Sequence, residues 1–346
     1  MDEWVYQKPW GQNMDTSTHI TMGFGLAGLA YLDPNVATNP ELASAVMVGT
    51  VIGSNAPDFD YGIKILKGNG MYTEHHRGIS HSLPAILMWS ILISFIIFIL
   101  FRPIPFLPLL FWTFLAVIIH VLFDIFNAYG TQAGRPFTKR WLSLNFIPLF
   151  DPFIILVHLI GFTCWIFQYS PGHVFLIGYL AIAIYLMIRY LVSRRIKTII
   201  ANSSELITTC SIIPTISLWK WDFVIETDHS YKTGRVKKQT ITWKHNFKKH
   251  DPSCPYIQSS LKDRNVKHFL ANSKHVHALY VLQPYGYEVR WIDLRFRHNN
   301  HYPYMAIVML NKELKIVSSF SGWVYHSKNS HKKLIPSQNR KVELER

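Results

Sequence analysis

The chain has 346 residues, 49% of them hydrophobic and 14% aromatic but only 16% charged, which is apolar for a soluble protein and points to lipid contact for part of it. Its formal net charge is +14, yet residues 1–193 hold nine Lys/Arg against ten Asp/Glu, whereas residues 194–346 hold 26 against 11. The three cysteines, Cys164, Cys210 and Cys254, are far apart and form no C-x-x-C pair, which excludes a zinc knuckle or a disulfide framework and fits a reducing compartment.

In chain order, residues 1–13 lack the basic and apolar regions of a signal peptide and are read as an extension. Asp15-Thr-Ser-Thr18 supplies capping residues for a small, apolar helix over Thr18 to Leu32, buried or re-entrant. Ser82 to Phe101 carries no charge, and His120 is the one ionisable group from Pro103 to Phe123, so each stretch is fit to cross a hydrocarbon core of about 30 Å. Pro152 to Ile188 contains no Asp, Glu, Lys or Arg and is divided by Gln168-Tyr-Ser-Pro-Gly172, a turn sequence, which predicts a hairpin of two further spans. Lys64, Lys67, Arg77, Lys139, Arg140, Arg189, Arg194, Arg195 and Lys197 flank one side of these spans, which the positive-inside rule makes cytoplasmic.

Beyond residue 205 the texture changes to β-branched and aromatic runs. Trp221 to Glu226, Gln239 to Trp243, Tyr287 to Leu294, Met305 to Leu310 and Ile316 to Phe320 read as strands of a small, mainly antiparallel sheet domain, with a helix over Lys262 to Ser273. The expected fold is thus a membrane α-helical module of about four transmembrane helices followed by a small β-rich (α+β) cytoplasmic domain. Its parts are the extension 1–13, the membrane module 14–193, a basic linker 194–204, the β-rich domain 205–335 and a polar tail 336–346.

The chemistry gathers at one end of the spans. In His120-Val-Leu-Phe-Asp124 the i, i+4 spacing puts an imidazole and a carboxylate on one helix face, where they can share a metal ion or simply hydrogen-bond between helices. His75-His-Arg-Gly-Ile-Ser-His-Ser82 places three imidazoles at the membrane edge; the glycine allows His76 and His81 to converge while Arg77 offers a fork of donors to an anion. Pro57-Asp-Phe-Asp60 contributes two carboxylates, fit to serve as ligands, as general bases or as an Asx turn. Asn127, Tyr129 and Thr131 follow the helical pair and are candidates for an outer shell.

Thr18-His19, Pro57-Asp58-x-Asp60, His76-Arg-Gly-x-Ser-His81-Ser, His120-x-x-x-Asp124, Gly130-Thr131 and Asp151-Pro152, in that order, resemble the YdjM/YfhP-type inner-membrane metal-dependent hydrolases. Pro214-x-x-Ser-x-Trp219-Lys-Trp221 and Val289-Arg-Trp-Ile-Asp-Leu-Arg295 resemble the YfhP branch. A more distant similarity is to zinc-dependent phospholipase C and the P1-type nucleases. It implies one or two divalent ions, Zn2+ foremost, held by His19, Asp58 or Asp60, His76 or His81, His120 and Asp124. An N-terminal Trp ligand and a later His/Glu set that would complete a third site are missing, so a mono- or dinuclear centre is expected.

The resulting expectation is a membrane-bound hydrolase of a phosphodiester or ester, with Asp58 or Asp60 accepting a proton and Arg77 holding the anion. Membrane lipids, anionic ones in particular, are the expected partners. The alternatives are a non-catalytic metal-binding transport or sensing protein, and a nucleic-acid binder for which no recognisable signature exists.

Overall fold

A computed structural model describes residues 14–61, 77–203, 206–297 and 301–324, with the side chains of residues 14, 15, 60 and 61 outside the description. The N-terminal region is helical: α1 (Met14–Leu29), α2 (Pro34–Ala37), α3 (Pro40–Gly53), α4 (Leu83–Leu100), α5 (Phe106–Phe126), α6 (Pro152–Ile166) and α7 (Pro171–Ala201). Several of these helices begin where a polar side chain meets a proline. Asn39 accepts from Leu42 N, Ser82 from Ala85 N and Asp151 from Phe153 N, and a proline in the first turn of α3, α4 and α6 presets the helical backbone.

Among the described residues, α4, α5 and α7 are long and apolar enough to cross a membrane. Helix α6 is apolar but has 15 residues, about 22 Å at 1.5 Å per residue, so it falls short of a hydrocarbon core unless the membrane thins around it. On α4, Leu87, Ile91, Phe95 and Ile99 repeat every four residues and stay exposed, while Ile86, Ser90, Ile93 and Ile97 are buried. One stripe is therefore left for lipid and the other packs on protein.

Small residues set how closely the remaining helices approach. A Cβ on Gly23 of α1 would lie 2.8 Å from Val51 Cα, and one on Gly49 of α3 would lie 2.5 Å from Thr113 Oγ1 of α5. Helix α3 is thus clamped between α1 and α5, which brings His19, the C-terminal end of α3 and His120 into one neighbourhood.

Two four-stranded antiparallel sheets follow, where the sequence suggested one: β1 (Thr209–Pro214), β2 (Lys220–Glu226), β3 (Ser230–Lys237) and β4 (Thr240–Lys248), then β5 (Val276–Gln283), β6 (Gly286–Asp293), β7 (Tyr304–Leu310) and β8 (Ile316–Trp323), each paired in sequence order. Two short helices, α8 (Pro255–Ser260) and α9 (Arg264–Asn272), cover the second sheet, with Ile257, Val266 and Phe269 packed on Val289, Trp291 and Val308.

The segment 194–204, expected as a linker, is helical as far as Ala201. Ile196 and Ile200 on it share one core with Ile212, Trp221 and Phe223 of the first sheet, so α7 runs from its apolar stretch directly into the β-rich part. Arg189 locks the junction. It is buried, and donates to Phe146 O at 2.7 Å and to Thr215 O at 3.1 Å.

Candidate metal centre

The site is built on the last turns of α5. His120 and Asp124, one turn apart, are 1% and 0% exposed and face the same way. The end of α3 fixes the imidazole: His120 Nδ1–H donates to Ser54 O at 2.7 Å, which leaves Nε2 with its lone pair turned inward.

Two short 3-10 turns carry the other donors. The turn Ala56–Tyr61 brings Asp58, and the turn Ile79–His81 ends on His81, whose Nδ1 meets Ser80 Oγ at 2.9 Å and whose Nε2 points at the pair on α5. Asp58, His81, His120 and Asp124 each offer one atom, and these atoms all lie within 4.8 Å of one another. His81 Nε2 is 3.0 Å from Asp124 Oδ2 and 3.5 Å from Asp58 Oδ1; His120 Nε2 is 3.3 Å from His81 Nε2, 3.5 Å from Asp124 Oδ2 and 3.7 Å from Asp58 Oδ1. Four donors about 2.0–2.1 Å from a central ion in tetrahedral geometry stand roughly 3.3 Å apart, so these separations fit a small divalent cation. Asp58 Oδ1 is buried with no hydrogen-bond partner, an orphan that an ion would satisfy.

Electrostatics agree with a carboxylate ligand. Burial opposes ionisation of Asp58, but the facing imidazoles of His120 and His81, 3.7 and 3.5 Å from Oδ1, outweigh it and hold the carboxyl well below its usual range. At His81, burial disfavours the charged form, yet the hydrogen bond to Asp124 and the nearby Asp58 carboxylate push its pKa up, so protons compete with a cation for Nε2.

Asp124 divides its oxygens. Oδ2 faces the two imidazoles, while Oδ1 takes Arg77 Nη2 at 3.1 Å and Asn127 Nδ2 at 3.3 Å. Arg77 Nη1 donates to Asn127 Oδ1 at 3.3 Å, and that oxygen also accepts from Tyr129 N and Gly130 N. The sequence assigned Arg77 to a substrate anion. In the fold it is buried, and its guanidinium bonds Asp124 and Asn127; its backbone is left-handed, φ 63°.

The other expected site residues separate. His19 stacks on His120, ring centroids 3.9 Å apart, with Nε2 3.8 Å from Asp124 Oδ1, beside the four converging donors. His76 lies outside the described residues, as does the side chain of Asp60. Thr131 is buried and accepts from Ala133 N within its own loop. Asp151 caps α6, accepts from Tyr185 OH at 2.7 Å and faces Arg189, a structural use of that motif. His158 bonds Ile154 O and Tyr179 OH.

The β-rich part reaches the rim of the cluster. Phe296 stacks on Tyr129 with centroids 4.7 Å apart, Tyr129 lies under the Arg77 guanidinium at 5.4 Å, and Arg295, paired with Asp293 at 2.7 Å, donates to Ala128 O at 3.5 Å. Nothing in the sequence pairs these residues across more than 160 positions, although Arg295 closes a noted motif. Phe296→Ala should therefore loosen Tyr129 and Arg77 and weaken metal affinity about tenfold, as outer-shell changes do. Titration of the purified variant with a divalent metal checks it, and unchanged affinity would sever the β-rich part from the site.

The family model described as YdjM inner membrane protein matches residues 14–196, and the one described as YfhP C-terminal alpha/beta plait domain matches residues 255–334, the second sheet with its two helices. An uncharacterized protein, YfhP of Bacillus subtilis (strain 168), is 40% identical over 323 residues, covering 93% of this chain and 98% of that protein. No solved structure matches. The matched length and the identity together place the chain in the YdjM inner membrane protein family, in company with YfhP.

Proposed function

We propose that the chain is a membrane-bound metal-dependent hydrolase acting on a phosphodiester or ester of a membrane-associated substrate. The observation that carries this reading is the unequal burial of the four donors: His81, His120 and Asp124 are fully buried, whereas the Asp58 side chain is 24% exposed. Three protein ligands with an accessible fourth position is the pattern of catalytic zinc sites, and the mixed His/Asp set suits Zn2+. A divalent ion would supply a Lewis acid there, acidifying water and polarising a phosphoryl or ester oxygen. Ser54 orients His120, while Arg77 and Asn127 orient Asp124. Asp58, the one of the four whose side chain is part-exposed, accepts the proton on its carboxylate.

A second reading, ion binding for transport or sensing without hydrolysis, draws on the same donors, since four protein ligands also fill a closed tetrahedral sphere. Metal analysis of the purified full-length protein, then assays on phosphodiesters and esters with and without chelator, separates the two. Chelator-sensitive hydrolysis is expected; a metal-loaded protein inert toward both substrate classes would favour the second reading.

In this reading α6 serves as a fourth, short span antiparallel to α7, and the metal cluster and the β-rich part lie in the cytoplasm, where Lys and Arg concentrate. Membrane lipids are then the nearest partners. A reporter fused after Lys197 should be cytoplasmic and one placed near Gln168 external. An external reporter after Lys197 would move the site to the opposite side and sink the topology.

A further inference from the structure

Where α7 leaves its apolar run, a cavity of about 340 Å³ opens between that helix and the first sheet. Val192, Ile196 and Leu218 form an apolar side; Arg195, Trp219 and Lys238 bring two cations and an indole, and among the described residues no carboxylate lines the space. Its depth is set by contacts. Arg189 holds Thr215 O, which fixes the loop 215–219 beside the residues of α7 just past Ile188. From Pro171 to Ile188 the helix measures about 27 Å at 1.5 Å per residue, close to a hydrocarbon thickness of about 30 Å, so the cavity stands at headgroup level.

Two further features set this corner apart. Ile216 and Trp219 on the same loop are 62% and 59% exposed, large apolar groups left bare where a membrane interface favours an indole. Lys238 opens the two-residue turn between β3 and β4 with a φ of 57°, a conformation that glycine or asparagine ordinarily supplies, and its N–H donates to Trp219 O at 2.9 Å. A lysine thus stands at a position of conformational cost, its backbone tied to the backbone of Trp219.

We propose that this cavity binds the headgroup of an acidic phospholipid, its phosphate between Arg195 and Lys238 and its chains running along Val192 toward the bilayer. The proposal rests on α7 crossing the membrane and is independent of hydrolysis at the metal cluster, so either can fail alone. The test uses the full chain in nanodiscs of phosphatidylcholine with or without phosphatidylglycerol, released into a native mass spectrometer to count retained lipid.

Phosphatidylglycerol should be retained in preference to phosphatidylcholine. Lys238→Gly should weaken that retention about fivefold, and Arg195→Ala with Lys238→Gly about 25-fold, the scale of one and two cations near a membrane surface. Because glycine relieves the turn, Lys238→Gly should keep or raise the thermal midpoint, which separates lost binding from lost folding. A control that removes as much charge from the turn between β7 and β8, Lys312→Ala with Lys315→Ala, should retain lipid normally. Equal losses in both pairs, no loss in either, equal retention of phosphatidylcholine, or displacement of the lipid by inorganic phosphate would each overturn the proposal.

Discussion

Replacing His120 by alanine is expected to empty the metal site, with a loss of affinity beyond the 10–100-fold typical of outer-shell changes. His120 Nε2 lies within 3.7 Å of the other three donor atoms, and its ring is aimed at them by the bond to Ser54 O, so its loss removes the donor that faces all three. Asp124→Ala should have the same effect on metal but with a larger structural penalty, because it breaks the buried contact with Arg77 at 3.1 Å; such a break costs roughly 3–5 kcal/mol. Asp124→Asn keeps the size of the side chain and separates the two effects: metal should still be lost while more of the folded protein survives. His158→Ala is the matched control. That imidazole is buried to the same degree, but its partners are Ile154 O and Tyr179 OH, with no carboxylate among them, so its loss should leave metal content unchanged. Metal content of the purified variants decides. Full occupancy in His120→Ala would refute the assignment of the centre.

The pair on α5 was legible because both its residues lie on one helix and helical spacing alone brings them together. His81 and Asp58 were legible as residue types but not as positions, since each depends on a 3-10 turn whose direction is set by tertiary contacts. What the sequence hid was the second tier. A backbone carbonyl, Ser54 O, orients His120 and leaves no mark in side-chain patterns, and Arg77, which bonds Asp124, has a left-handed backbone that a non-glycine residue rarely adopts. The fold was read with the same bias. Strands β2, β4, β6, β7 and β8 carry β-branched or aromatic runs, but β3, Ser-Tyr-Lys-Thr-Gly-Arg-Val-Lys, places a glycine and three cations among its eight residues and is held in the sheet by its partners on both sides. The basic stretch after Ser193 looked like a linker because its charges end the apolar run. It stays helical because Ile196 and Ile200 recur on the face that the first sheet covers.

Asp58→Asn is the substitution that distinguishes the two readings of the site. His81, His120 and Asp124 form a buried set of three donors, and catalytic zinc sites are commonly held by three protein ligands. If Asp58 serves as the proton acceptor, an amide of nearly the same shape leaves those three in place and cannot take the proton. Metal content should then stay near normal while hydrolysis falls by about 10²–10⁴, the usual contribution of a general base. The neighbouring Asp60→Asn, on the same 3-10 turn, serves as a comparison that changes charge by the same amount. Hydrolysis that survives Asp58→Asn but not Asp60→Asn would transfer the role by two residues. Metal lost together with activity in Asp58→Asn would instead make Asp58 the fourth ligand of a closed sphere. The orphaned Oδ1 would then be an ion's partner rather than a proton's, and binding without hydrolysis would become the better account of the same four side chains.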